Sequence, residues 1–314
     1  MKKESISFPS SDGIHTLSGV LYRPEGEIKG IFHALHGMNE YTVRYEALLE
    51  EMAREGYAAF AYDHLGHGHT AKDRSELGFI AEKDGWRHLV LDVGVAGRTV
   101  RNRLGEDLPY VLFGHSMGSF IARLAVTEGV CPQKLILMGT AGKNPLAPLG
   151  IILADLISAF CGKRHVSPLM KKLVFGNYDH RFPGDYRNRW LTVDTQNLLR
   201  YRDDPYCIFS FSVSALGDLI RLHHRANSRA CFRRTPAHLS VLLLSGKEDP
   251  VGDYGKGVRW VHEALVKNGK KSRYRLFEGY RHEILLDFCK DEVIAEIRAF
   301  LSEPWAEASK SDPS

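Results

Sequence analysis

Five short stretches of this chain are apolar almost without a break: GIFHALHG at 30–37, YAAFAYD at 57–63, YVLFG at 110–114, KLILMG at 134–139 and SVLLLSG at 240–246. None alternates polar with apolar residues, so none suits a strand with one face in water; each reads as buried on both faces. The residues between them have helical spacing. Within 43–55, Tyr45, Leu48, Leu49 and Met52 fall on one face and Gly56 stops the pattern. Asp84 is placed to cap a helix that turns Trp86, Leu89, Val90, Val93 and Val100 inward and ends at Gly105. A third helix is expected from Ser116 to Glu128, stopped by Gly129. Strands of this kind alternating with helices make a parallel sheet covered on both faces, so the expected fold class is α/β. Short strands at 5–8 and 16–22 precede the series; a helix near 258–267, a strand at 274–279 and a helix at 291–301 close it.

The rhythm fails between 141 and 235. That segment reads as helical and loop-rich, without a clear apolar strand. Its apolar stretch PLAPLGIILADLISAFCG (145–162) holds two prolines and Asp155, which argues against a membrane span. The expected organisation is a core of 1–140 and 236–305, a helical cap inserted at 141–235, and a polar, flexible tail at 306–314. Charge also sets the insertion apart. Residues 143–236 contain 15 Lys and Arg against 7 Asp and no Glu, a balance of +8 within a chain of formal net charge +4. Such a segment is either a solvated surface or a face turned toward anions such as phospholipid headgroups.

Open parallel sheets bind ligands at the carboxyl ends of their strands, and several chemically capable groups fall there. VLFGHSMGSF (111–120) holds Ser116 between Gly114 and Gly118 at a strand-to-helix turn. Such a turn exposes the hydroxyl and aims the Met117 N–H where an oxyanion would form. The G-x-S-x-G pattern arises readily by chance, and the strand before it and helix after it are what give it weight. In LLLSGKEDPVG, Asp249 follows a strand closely and can orient a histidine. In FEGYRHEILLD, His282 follows the last strand and can act as general base toward Ser116. Taken singly, these are an ordinary turn aspartate and an ordinary surface histidine. In the order Ser116, Asp249, His282 they match α/β-hydrolases, which makes Ser116 a nucleophile. HALHGMNE (33–40) offers the Met38 N–H as a second oxyanion donor. Gly37, Asn39 and His115 are the expected substrate-binding residues.

His64, His67 and His69 in DHLGHGHT look at first like metal ligands. The loop is glycine-rich, no cysteine is near, and Asp63 ends a strand, so a turn beside the site is expected, with no metal and no cofactor. Cysteines 131, 161, 207, 231 and 289 are scattered without a CxxC, as in a reduced, cytoplasmic protein. No secretory signal is visible at the N-terminus.

HGMNEYTVRY, FAYDHLGHGHT, GHSMGS, GKEDPVG and GYRHEILLD, in that order, resemble the monoacylglycerol lipase and bacterial lysophospholipase branch (serine aminopeptidase-like) of the α/β-hydrolases. The resemblance spans about residues 8–303 and is weakest through the cap. It implies a mostly parallel eight-stranded sheet with a helical cap, and hydrolysis of a monoacylglycerol or lysophospholipid through an acyl-enzyme. It assigns Ser116 as nucleophile, Asp249 as acid, His282 as base, and the N–H groups of Met38 and Met117 as oxyanion donors. Asn39 and Tyr41 depart from the family's pattern, which carries a small residue and a histidine there, so the acyl and alcohol pockets are expected to differ in shape. The expected partners are a small ester or lipid substrate and, through the apolar helix near 149–160 and the basic cap, peripherally a membrane. The alternative is that this helix only packs the cap against the core. No nucleic acid is expected and no oligomeric state is indicated. Other readings on the same fold are an esterase, thioesterase or aminopeptidase-like hydrolase of a small non-lipid substrate, and a non-catalytic binding protein.

Overall fold

Eight strands, β1 (Lys2–Pro9), β2 (Thr16–Arg23), β3 (Gly30–Leu35), β4 (Tyr57–Tyr62), β5 (Tyr110–His115), β6 (Lys134–Met138), β7 (Ser240–Gly246) and β8 (Lys271–Phe277), join in one sheet in the order β1-β2-β4-β3-β5-β6-β7-β8. The computed structural model describes residues 1–176 and 178–305, so the tail expected at 306–314 lies outside the described residues. From β4 to β8 neighbouring strands are parallel, and β2 runs antiparallel to both of its neighbours. This is the mostly parallel sheet that the apolar stretches imply. Every residue of β3, β4, β5 and β6 is buried, because α1 (Glu46–Arg54) and α10 (Lys290–Ser302) cover one face. Helices α2 (Gly85–Leu104), α3 (Met117–Ala125) and α9 (Lys256–Lys267) cover the other.

Two local expectations are corrected. Asp84 does not cap α2 with its side chain. It adopts a left-handed conformation (φ 48°) and offers only its carbonyl, to Arg87 and His88. The Asp218 carboxyl faces this end of the helix instead, 2.3 Å from where a Cβ on Gly85 would stand, and burial raises its pKa to about 7. The strand expected at 274–279 starts earlier, at Lys271. As a sheet edge it leaves Arg273, Tyr274 and Arg275 exposed, and their polarity hides it from an apolar pattern.

Between β6 and β7 the described residues form helices α4 (Ala147–Cys161), α5 (Pro168–Phe175), α6 (Thr195–Asp203), α7 (Val213–Ala226) and α8 (Arg229–Arg234), and no strand. The last four begin at side-chain caps: Ser167, Asp194, Ser212 and Ser228 each accept a backbone N–H of the first turn. Helix α7 packs against α3 of the sheet layer and against α4. Leu149, Ile152, Leu156 and Phe160 of α4 remain exposed, Phe160 to 87%. Among the described residues no helix is long and apolar enough to cross a membrane.

Candidate active site

Where β5 gives way to α3, the chain turns within Ser116 at φ 51° and ψ −117°. Side-chain-bearing residues avoid this conformation at a cost of roughly 1–3 kcal/mol, and it persists only where the surroundings enforce it. Both flanking glycines are part of that enforcement. A Cβ on Gly114 would stand 2.3 Å from the Gly118 carbonyl oxygen, and one on Gly118 would stand 2.3 Å from that of Leu35. The Ser116 N–H donates to the Met138 carbonyl at 2.9 Å, which ties the turn to the end of β6.

Asp249 lies just past β7 and is fully buried. One of its oxygens accepts the Val251 N–H at 2.8 Å; the other accepts the Ser245 hydroxyl at 3.2 Å and His282 Nδ1–H at 2.8 Å. The His282 loop passes directly over the end of β7, and only glycine fits beneath it. A Cβ on Gly246 would meet the Arg281 carbonyl oxygen at 2.0 Å. With Nδ1–H committed to a carboxylate, His282 Nε2 is left as a proton acceptor. The Trp190 ring packs on the imidazole, centroids 5.1 Å apart.

Ser116 and His282 line one cavity of about 1660 Å³. Among the described residues no hydrogen bond joins their side chains. Such contacts tighten in many hydrolytic sites only when substrate is present. The N–H groups of Met38 and Met117 find no acceptor among the described residues, although Met117 is wholly buried. Buried main-chain donors are nearly always paired, so the free N–H of Met117, next in the chain to Ser116, stands out, and Met38 lines the same cavity as Ser116.

Of the three residues expected to bind substrate, only Asn39 lines the cavity, and its amide donates to the Phe209 carbonyl at 2.8 Å. Gly37 lies against Ser116, where an added Cβ would stand 3.1 Å from the serine Cβ. His115 is buried within a network that the linear sequence does not reveal. The Gly37 N–H donates to Glu40 Oε2 at 2.9 Å, and the Tyr45 hydroxyl donates to the same oxygen. His115 Nδ1 contacts the Tyr45 oxygen at 2.7 Å and Glu40 at 3.3 Å, while its Nε2 reaches the His282 carbonyl at 3.3 Å. A carbonyl can only accept, and the Tyr45 proton is directed at Glu40, so both ring nitrogens of His115 donate. The electrostatics agree. Burial opposes an imidazolium, but Glu40 outweighs it and raises the His115 pKa. Burial likewise opposes the Glu40 carboxylate, and His115 outweighs it, holding Glu40 far below the usual carboxylate range. An ion pair of Arg44 with Glu283 at 2.7 Å, next along the chain from His282, borders this network.

The histidines of the 63–70 loop serve a different purpose. His36 Nδ1–H donates to the Gly37 carbonyl at 2.7 Å, and its Nε2 accepts the His64 N–H at 2.9 Å. His64 and His67 pack against His36 with ring centroids 4.2 and 5.1 Å away. Burial lowers the pKa of all three, that of His67 to about 3. They form a neutral aromatic floor under the 36–40 loop. Among the described residues no group of three or more His, Cys, Asp or Glu side chains is arranged to hold a metal ion.

The family described as serine aminopeptidase, S33, matches residues 26–288 of the chain. The monoglyceride lipase of Homo sapiens is 32% identical over 93% of this chain and 88% of its own length. Phospholipase YtpA of Bacillus subtilis is 26% identical over 86% of this chain and 93% of its own. Among solved structures, a highly thermostable carboxyl esterase from Bacillus coagulans, crystallised in complex with glycerol, superposes with a TM-score of 0.90. It is 28% identical and covers 96% of this chain and 98% of its own.

Proposed function

The chain belongs to the serine aminopeptidase S33 family of hydrolases, and from that premise we propose that it is a serine ester hydrolase acting on single-acyl-chain lipids, monoacylglycerols or lysophospholipids. The observation that carries the reading is the buried His282–Asp249 hydrogen bond of 2.8 Å on the same cavity as the strained Ser116. Ser116 Oγ attacks the ester carbonyl while His282 Nε2 removes its proton, and Asp249 stabilises the imidazolium. The N–H groups of Met38 and Met117 bind the oxyanion, each worth about 10²–10³ in rate. The ester C–O bond then breaks, the alcohol leaves with the proton from His282, and the acyl group remains on Ser116. Water, deprotonated by His282, releases the fatty acid. The family and the relatives named monoglyceride lipase and phospholipase support this class of substrate.

The cavity supports a lipid. Ordinary small-molecule pockets span roughly 300–1,000 Å³, and this one is about 1660 Å³, lined by apolar groups such as Leu153, Met170, Val174, Leu219 and Ile220. Across monoacylglycerols of increasing chain length, kcat/KM is expected to rise by up to about fourfold per added methylene until the cavity is filled. A flat or falling series would contradict the lipid reading and favour a small non-lipid ester.

Helices α4 to α8 act as a cap whose exposed Leu149, Ile152, Leu156, Phe160 and Leu169 rest on a membrane surface, flanked by the basic charge of the segment. The protein is then cytoplasmic and peripheral to the membrane. Sedimentation with anionic vesicles is expected to fall by about tenfold in partition coefficient for the double variant Leu156→Ser/Phe160→Ser; unchanged partition would exclude this surface.

A further inference from the structure

We propose that the cavity selects its substrate by headgroup charge, with Lys143 and Lys256 holding a phosphate on the alcohol side of a single-chain lipid ester. The proposal rests on the ester-hydrolase reading above. Its starting point is where the chain goes after β6. Gly139 has φ 59°, and an added Cβ there would stand 2.9 Å from His282 Cε1, so the segment departs directly beside the imidazole. It then meets the start of α9. A Cβ on Gly142 would lie 2.8 Å from Gly257 Cα, and one on Gly257 would lie 2.8 Å from the Gly142 nitrogen. Two backbones in contact thus carry Lys143 and Lys256, each the immediate chain neighbour of a contacting glycine. Both lysines line the cavity.

The support for this pair is built in. The Gly142 carbonyl accepts His223 Nε2–H at 2.7 Å and Asn227 Nδ2–H at 3.2 Å, which fixes the strand of chain that bears Lys143. Charge on the cavity wall is unbalanced. Arg202 is taken by Asp203 at 2.8 Å, but Lys143, Lys171, Arg187 and Lys256 have no acidic partner among the described residues. Of the acids on the wall, Glu40 and Glu283 are paired internally, and Asp179 accepts the Asn188 and Trp190 N–H groups at 2.8 and 3.0 Å. Asp179, Asp185 and Asp253, none of them in an ion pair among the described residues, stand against four cations, an excess of one positive charge. Asp253 lies on the same loop as Lys256 and tempers its charge without forming an ion pair. Unpaired ammonium groups at the rim of an apolar cavity attract a phosphate strongly, and lysine binds it as a point charge. A neutral glycerol headgroup gains nothing from them.

The experiment compares kcat/KM for 1-lauroylglycerol and 1-lauroylglycerol 3-phosphate in the wild-type protein and in Lys143→Gln/Lys256→Gln. Both side chains are exposed, so the substitutions remove no core contact. The phosphorylated ester is expected to be preferred by about tenfold, a preference abolished in the double variant, recovered in Lys143→Arg/Lys256→Arg, and weakened by salt. Equal use of the two esters, or a preference that survives the double substitution, would overturn the headgroup assignment alone. Inhibition by inorganic phosphate without preference among lipids would mark an anion site unconnected with the substrate and overturn it too. Hydrolysis of p-nitrophenyl butyrate with neither lipid turned over would instead remove the lipid reading on which the assignment rests.

Discussion

Ser116→Ala is expected to lower kcat for ester hydrolysis about 10⁶-fold, with folding unaffected. The size follows from the proposed chemistry: without Oγ there is no acyl-enzyme, and the histidine, the carboxylate and the two N–H groups have nothing to activate. Retention of the fold follows from the structure. Ser116 holds its turn through its main chain, by the N–H donated to Met138 at 2.9 Å, and no side-chain bond of its own is lost. Alanine must still adopt φ 51°, as serine does. The check is turnover of a short p-nitrophenyl ester alongside thermal unfolding. Activity within tenfold of wild type in the folded variant would exclude a Ser116 nucleophile.

Asp249→Asn is expected to cost about 10⁴ in kcat, and the hydrogen bonds around the residue say why. The Val251 N–H, 2.8 Å from one carboxylate oxygen, requires an acceptor. The asparagine carbonyl must stay there, which turns its NH₂ toward His282 Nδ1, 2.8 Å from the other oxygen. His282 Nδ1 then becomes the acceptor and Nε2 carries the proton. The imidazole is left in place but in the tautomer that cannot take a proton from Ser116. Because Asn is close to isosteric, the cavity and the fold persist. A rise in KM with unchanged kcat would instead mean that Asp249 serves binding rather than proton transfer.

The parts of this molecule that a linear reading reaches are those written in neighbouring residues. GHSMG lies between an apolar strand and an amphipathic helix, and its two glycines mark the turn at Ser116 that contacts with Leu35 and Met138 then hold. Asp249 and His282 are legible because each follows a strand end, and parallel strands deliver their carboxyl ends to one edge of the sheet. Asp84 misleads for the complementary reason. Its spacing suits an N-cap, but α2 starts against α7, and a carboxylate 134 positions away, Asp218, occupies the place. The association of Glu40, Tyr45 and His115 depends on β3 pairing with β5 in a particular register, which no short window contains. His115 therefore reads as a neighbour of the serine facing substrate, whereas it points into the protein toward Glu40 and Tyr45. The 141–235 segment is readable as helical and basic, but which of its apolar residues face the cavity depends on how α4 packs on α7. Charge composition alone leaves open what the basic residues face; the contact of Gly142 with Gly257 is what sets Lys143 of this segment on the cavity wall beside Lys256 of the core.

In the proposed mechanism one hydroxyl among all those in the chain is activated. Reaction with a fluorophosphonate, which loses fluoride and phosphonylates only serines that a neighbouring base activates, followed by mass mapping of the peptides, tests this. A single adduct on Ser116 is expected, lost in His282→Ala. An adduct on any other residue, or none on a protein that still cleaves esters, would contradict it.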